Sequence, residues 1–199
     1  MAGHNNNTAS ATAGDLRFVQ ISAGVLLVLT IAAFTPRYIL PLLGGEFTSP
    51  NPWMHPHAFA GFVFAALFLV QPILIERGQY RLHRVFGRIA GVLVVLAVIS
   101  GVGVQLGMFP AAENDLSNRF AGAFRLFQTL PSMMIFFGGA LLLKRKTPWH
   151  WRWIYLAAFA AFNTISHRLL VYYSSMAEVD IMPLVGMLSF APVIALLLY

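Results

Sequence analysis

Long apolar stretches separated by short polar segments make up most of this chain. Each has roughly 18 or more mostly apolar residues, enough to cross the about 30 Å hydrocarbon core of a bilayer at about 1.5 Å per residue. The stretches lack the period-2 alternation of barrel strands, so they predict helices. We therefore expect an all-α polytopic membrane bundle of about six transmembrane helices, at residues 17–35, 57–76, 85–108, 119–143, 150–172 and 181–199.

The segments between and before these stretches are polar or irregular. Residues 1–14 are small and polar, and predict a disordered tail ahead of an uncleaved first helix. Residues 15–199 are then a single transmembrane domain. The connection at 36–56 contains several prolines and paired glycines, which predicts an ordered but irregular cap. Pro72, Pro131 and Pro192 predict kinks inside or at the ends of spans.

Composition supports the membrane interpretation and excludes several function classes. Hydrophobic residues make up 58% of the 199 residues and charged residues only 10%. A soluble domain could not cover that much apolar surface. The net charge is +6, but the basic residues sit in short loops and form no stripe for nucleic acid. Cysteine is absent, which excludes disulfides and thiol chemistry. No HExxH or GxSxG motif points to hydrolysis, and the sequence leaves enzymatic activity open.

The distribution of Lys and Arg predicts the orientation. One side carries nine of the 13 basic residues, namely Arg17, Arg77, Arg81, Arg84, Arg88, Lys144, Arg145, Lys146 and Arg152. The other side carries the remaining four, Arg37, Arg119, Arg125 and Arg168. Because the more basic side of a membrane protein faces the cytoplasm, both termini are predicted to be cytoplasmic.

Histidines lie at the ends of the predicted helices, on both sides of the membrane. His57 and His167 belong to the outer side, and His83 and His150 to the inner side. A b-type haem is held without a covalent tether by imidazoles from facing helices, so the two pairs predict axial ligands for an outer and an inner haem. His55 is an alternative to His57. Interfacial histidines without any ligand also fit the pattern.

A second set of polar residues points to a pocket in the outer half of the bundle. Arg125 lies about 9 Å along the fourth predicted helix from Arg119, and an intramembrane charge usually faces a partner or a cavity. The candidate pocket also contains Gln128, Asn163, His167 and Arg168. Its expected occupants are a haem propionate, a quinone headgroup or a lipid phosphate. Snorkelling of Arg125 to the surface is the other interpretation.

The inner side has a basic cluster of its own at residues 81–88, RLHRVFGR. Arg84 and Arg88 there predict contacts with haem propionates, or with anionic lipids as the alternative. No glycine-rich dinucleotide motif accompanies them.

Gly87 and Gly91, and then Gly101, Gly103 and Gly107, predict close helix packing. Trp53 is predicted to lie at a membrane interface.

Three motifs occur in order between residues 55 and 172. They are His57, the run Leu82-His83-Arg84-x-x-Gly87-Arg88, and the pair His150 and Trp153. With them the chain resembles an uncharacterised family of bacterial membrane proteins, domain of unknown function 2306. The resemblance implies a four-helix core made of helices two to five, in the bacterial inner (cytoplasmic) membrane. The resemblance brings no established activity. The last helix of the family usually has no histidine at the position of His167.

These observations lead to two hypotheses of function. The first is an integral membrane redox protein that binds haem b, a quinone or both through histidines at the two membrane faces. The alternative is a non-catalytic accessory or assembly subunit of a larger membrane complex, which the abundance of aromatic residues and the scarcity of intramembrane polar groups favour. A transporter is disfavoured because no inverted repeat and no buried carboxylate is evident.

Overall fold

The computed structural model describes residues 11–48, 51–108, 123, 125–174 and 178–199. All regular structure in these ranges is helical, which confirms the all-α prediction. Two π-helical segments, π1 (Thr35–Ile39) and π2 (Arg125–Thr129), interrupt the α-helices. The α-helices are α1 (Ala13–Phe34), α2 (Leu40–Leu43), α3 (Met54–Glu76), α4 (Tyr80–Met108), α5 (Leu130–Leu142), α6 (Thr147–Phe159), α7 (Phe162–Tyr173), α8 (Glu178–Ser189) and α9 (Ala191–Leu198).

Four helical stretches are long and apolar enough to cross a membrane. They are Ala13–Leu43, Met54–Glu76, Tyr80–Gly107 and Thr147–Tyr173. Two shorter apolar helices, Leu126–Leu142 and Pro183–Leu198, correspond to the predicted fourth and sixth spans. The chain is therefore a multi-pass membrane protein, and crossing by the two shorter helices stays a prediction.

The first helix begins earlier than its apolar stretch suggests. Thr12 and Asp15 form a capping box, because the Asp15 N–H donates to Thr12 Oγ1 at 3.1 Å and the Thr12 N–H donates to Asp15 Oδ2 at 2.8 Å. This reciprocal pair satisfies backbone donors that a helix start leaves open. Residues 13 and 14, predicted to be part of the tail, are thus helical, and residues 1–10 lie outside the described part.

Prolines and small residues mark where the helices change geometry. Pro36 lies in π1, and Pro131 follows directly after π2 at the start of α5. A proline ring collides with the carbonyl four residues earlier, and a widened turn relieves that collision. Pro72 lies inside α3 without ending it. The predicted span 150–172 is divided by a turn at Ala160, so that it consists of α6 and α7.

Helices α3 and α4 form an antiparallel hairpin with a very short turn. Gly78 adopts φ 67°, a left-handed conformation that favours glycine. The Gln79 N–H donates to the Leu74 carbonyl at 2.8 Å, and the Gly78 N–H donates to the Ile75 carbonyl at 2.9 Å. This is the Schellman arrangement that closes a helix C-terminus. The turn brings the first residues of α4 beside the last turns of α3.

Helix α1 is part of the core. It packs along α3 and α7, and its Ala23 and Ala33 are completely buried. Small side chains of this kind allow neighbouring helices to approach closely. The core continues through Phe64 and Phe68 of α3 and Tyr155 of α6. The core is therefore larger than the four helices, two to five, that the resemblance implies, because an apolar stretch does not reveal which of its faces is covered by protein.

The beginning and the end of the described chain lie at the same end of the bundle. The ring of Tyr199 stacks on Phe18 with centroids 4.4 Å apart, and it meets Trp151 edge-on at 5.9 Å. Gln20 of α1 donates to Glu76 of α3 at 2.9 Å. We call this end, with the turns after α3 and α5, the inner end. The opposite end, which contains Tyr38 and His55, is the outer end.

Candidate histidine sites at the two ends of the bundle

His83 and His150 come together at the inner end. His83 lies in the first turns of α4 and His150 in the first turn of α6. Their imidazoles are close enough for their charges to interact. Both side chains are half-buried. The structure thus places the two inner histidines of the sequence prediction near each other, on different helices.

His150 is held by the preceding helix. Its Nδ1 donates to the carbonyl oxygen of Ala140 in α5 at 2.8 Å. With the proton on Nδ1, the neutral ring keeps a lone pair on Nε2 for a ligand. Trp153 contacts the same part of α5, because a Cβ atom placed on Gly139 would lie 2.3 Å from Trp153 Cε3. The two residues of the His-x-x-Trp motif therefore both fix α6 against α5.

The surroundings of His83 include a residue that the sequence analysis missed. Gln71 of α3 donates from Nε2 to the His83 carbonyl at 3.3 Å. Gln71 Oε1 and His83 Nδ1 are both buried, and neither has a hydrogen-bond partner among the described residues. Unpaired buried polar atoms are rare and call for a ligand, a water or a rearrangement. The signal for Gln71 was available, as it is the last strongly polar residue within an otherwise apolar span before Glu76.

Arg84 and Arg88 lie on a different face of α4 from His83. Both are exposed. At about 100° per residue they are about 100° and 140° around the helix from His83. Gly87 lies on the α3 side instead, and the nearest atom to a Cβ placed there would be Gln71 Nε2 at 3.8 Å. Contact of the two arginines with a haem propionate stays a prediction.

At the outer end, His57 faces the core and His55 does not. His57 Nδ1 donates to the Ala97 carbonyl of α4 at 3.0 Å, and Ser100 Oγ lies 3.4 Å from the same nitrogen. A Cβ placed on Gly101 would lie 3.1 Å from His57 Cε1. The absence of a side chain at Gly101 therefore leaves room for the His57 imidazole. His55 is exposed, and its Nδ1 lies 3.1 Å from the Tyr38 hydroxyl.

Two other glycines of α4 receive the chain that enters α3. A Cβ placed on Gly103 would lie 2.3 Å from Trp53 Cγ, and one placed on Gly107 would lie 2.5 Å from Asn51 Nδ2. Asn51 also donates to the Val104 carbonyl at 3.1 Å. Close packing was expected for these glycines, and their partner is the loop that covers the outer end of α4. Trp53 is 43% exposed, so that its other side remains available to the interface.

Arg168 lies on α7, at the same end of the bundle as His57. Its guanidinium lies over the ring of Phe34 in α1, 4.5 Å from the centroid. Its charge acts on His57. Arg37 makes a similar contact with the ring of Tyr172, one turn further along α7, at 4.8 Å. Aromatic faces stabilise such cations where water is scarce. The predicted role of Arg168 in the outer site stays a prediction.

A hydrogen-bonded group connects π2 with α7. Thr129 Oγ1 lies 3.3 Å from Asn163 Oδ1 and 3.0 Å from Gln128 Oε1, so that one hydroxyl proton serves two acceptors. Asn163 is buried, whereas Gln128 is exposed. His167 follows Asn163 by one turn on the same side of α7, about 40° around the axis. Thr129, which makes the link to Asn163, was not among the residues predicted from the sequence.

The side chain of Arg125 lies outside the described part of the chain, and its backbone begins π2. Its predicted place in the outer pocket stays a prediction. Among the described residues, no group of three or more His, Asp or Glu side chains could hold a metal ion. Two axial imidazoles on a haem are a separate arrangement that needs no third protein ligand.

No protein-family model matches the sequence, and no curated protein and no solved structure matches the chain. The resemblance based on the three motifs stays a prediction. Within this chain the motif residues have structural partners of their own, since His57 contacts Ala97, His150 contacts Ala140 and Trp153 packs on Gly139.

Proposed function

We propose that this chain is an integral membrane redox protein that binds haem b, a quinone or both through the histidines at its two ends. The observation that supports this proposal most is that His83 and His150 lie on two different helices at the inner end, within electrostatic range of each other. Two imidazoles from different helices in an apolar bundle are the ligand set of a b-type haem.

The hydrogen bond of His150 favours the tautomer that suits ligation. Metal-bound histidines usually donate their second ring N–H to a carbonyl, which fixes the tautomer and the ring orientation. His150 Nδ1 makes this bond to Ala140, leaving Nε2 for an iron atom. On the other side, the buried His83 Nδ1 and Gln71 Oε1 lack partners in the described chain. A haem bound between the two rings would carry single electrons.

The outer end supports a quinone ligand in a comparable way. His57 donates from Nδ1 to Ala97, so Nε2 of the neutral ring is an acceptor for the hydroxyl of a reduced quinone. Asn163 Oδ1 already accepts from Thr129 and Thr164, which leaves its Nδ2 as a donor for a quinone carbonyl. Arg168 adds positive charge near His57. Donors and an acceptor at the end of an apolar bundle match a small headgroup on a lipid-soluble tail.

The test is the absorption spectrum and the extractable quinone content of the protein. The chain would be produced in a host that makes haem, extracted in a mild detergent and purified. We expect a Soret band that shifts on reduction with dithionite, a quinone in the organic extract, or both. A colourless, quinone-free preparation from haem-supplemented cells rules out the proposal.

The alternative function, a non-catalytic accessory subunit, rests on the weakly covered C-terminal helices. Met187 of α8, Phe190 between the two helices and Leu197 of α9 are 72%, 64% and 79% exposed, and this surface would suit a neighbouring membrane protein. Extraction in several mild detergents followed by size-exclusion chromatography separates the two ideas. An accessory subunit should co-elute with a stoichiometric partner, whereas a self-contained redox protein should carry its pigment alone.

A further inference from the structure

One face of α4 is exposed from Arg81 to Ile99 and changes from charged to apolar halfway. Its inner part carries arginines at positions 81, 84 and 88, all exposed. Its continuation carries Val92, Val95 and Ile99, exposed by 68%, 53% and 54%. The spacing of three and four residues keeps all six side chains within about 80° of one another around the helix. We call these six residues the arginine face of α4.

The three arginines do not stabilise α4 itself. They lie in its first turns, where the N–H groups and the helix dipole already create positive potential, and no acidic residue occurs in the first turn. Three guanidinium groups on one face also repel each other. None of them forms an ion pair within the described residues. Their placement costs stability unless an anion from outside the chain balances the charge.

The dimensions of the face match a phospholipid. Arg81 and Arg88 are about 10 Å apart along the axis, within reach of a headgroup for side chains that snorkel to the surface. From Arg88 to Ile99 the axis extends about 16 Å, comparable with half of the about 30 Å hydrocarbon core. The apolar part faces away from the protein core, since Leu93, Val94 and Ala97 are the buried residues of this segment.

We propose that the arginine face is a binding site for an anionic phospholipid. The lipid phosphate would bind Arg84 and Arg88 through charge-assisted hydrogen bonds, and an acyl chain would lie along Val92, Val95 and Ile99. The net negative charge of the headgroup supplies the selectivity, because a zwitterionic lipid offers the same phosphate together with a cation. The lipid site lies on a different face of α4 from His83, so it does not require a bound haem.

The experiment is a native mass spectrometry titration of the purified protein in an uncharged detergent. Phosphatidylglycerol and phosphatidylcholine with identical acyl chains are added in parallel. We expect tight one-to-one binding of phosphatidylglycerol and weak binding of phosphatidylcholine. The double variant Arg84→Gln/Arg88→Gln should bind phosphatidylglycerol about thirty-fold more weakly, which corresponds to about 1 kcal/mol per arginine.

The matched control is Lys144→Gln/Lys146→Gln, which removes two charges from the other inner turn. Its affinity for phosphatidylglycerol should change by less than about three-fold. Equal losses of phosphatidylglycerol affinity in the two double variants would indicate diffuse attraction of the lipid to the basic inner side. Equal affinities for phosphatidylglycerol and phosphatidylcholine would show that the site does not select for net charge. Either result overturns the proposal.

Two further arms exclude other occupants of the face. Inorganic phosphate at millimolar concentration should not displace the lipid, and displacement would identify a free-phosphate site instead. The variant Val95→Glu keeps all the arginines but places a negative charge where the acyl chain is proposed to lie. It should weaken lipid binding, and a wild-type monomer should remain a monomer in this variant. If the wild type is a dimer that Val95→Glu dissociates, a second copy of the chain covers the face and the proposal is wrong.

Discussion

The indole of Trp153 lies directly against Gly139, so closely that a Cβ atom on that glycine would be 2.3 Å from Trp153 Cε3. The neighbouring Gly138 has no atom within 4 Å of such a Cβ. We predict that Gly139→Ala lowers the free energy of unfolding by about 1–3 kcal/mol through overpacking. Gly138→Ala should be neutral or stabilising, because alanine favours the helix by up to about 1 kcal/mol.

Thermal unfolding of both variants in the same detergent checks this prediction. The midpoint should fall for Gly139→Ala and stay constant or rise for Gly138→Ala. Equal midpoints would show that α5 and α6 separate easily, and would contradict the packing at Trp153.

We predict that His83→Ala and His150→Ala each remove the inner pigment, whereas His55→Ala leaves it unchanged. His55 is exposed at the opposite end and contacts Tyr38 and Phe47. The measurement is the Soret absorbance per milligram of monodisperse protein. Because His150 also anchors α6 through Ala140, His150→Gly with added imidazole is the second measurement. Return of the Soret band on adding imidazole indicates ligation, and a pigment that survives both alanine variants contradicts it.

We predict a measurable coupling between Thr129 and Asn163. Thr129→Val removes the hydroxyl that lies 3.3 Å from Asn163 Oδ1 while keeping the shape of the side chain. Interhelical hydrogen bonds in membranes contribute about 0.6 kcal/mol on average and up to about 1.7. A double-mutant cycle with Asn163→Leu, measured by unfolding in detergent and denaturant, should give a coupling energy in that range. Strictly additive effects of the two substitutions would show that the contact contributes nothing.

The orientation can be tested cleanly because the chain has no cysteine. Glu46 lies in the loop after α2, and Gln79 and Lys144 lie in turns at the inner end, all exposed. We predict that Glu46→Cys reacts with a membrane-impermeant maleimide in intact cells. Gln79→Cys and Lys144→Cys should react only after the membrane is opened. The reverse pattern would place both termini outside and contradict the positive-inside assignment.

The sequence by itself determined that the chain is all-α and crosses a membrane several times. Continuous apolar stretches such as those containing Phe64 and Val94 have no other stable solvent than lipid, so this conclusion needs no tertiary information. The apolar stretches also placed a short connection between residues 76 and 85, which is where the turn at Gly78 lies. They failed where a polar cap overrode the apolar pattern, since Thr12 and Asp15 start α1 earlier than its hydropathy suggests.

Only the tertiary structure decided which polar residues meet. His83 and His150 are 67 positions apart in the sequence; the order of the spans already put both at the inner side, whereas the distance between their side chains depends on how the helices pack. Gln71 and Thr129 were missed because their partners, His83 and Asn163, lie on other helices. The orientation of His57 inward and of His55 outward depends on how α3 rotates against α4, which a helix inside an apolar solvent does not reveal from its own hydropathy. Hydropathy describes the partition between water and lipid, whereas the partition between lipid and protein is set by packing and by hydrogen bonds between helices.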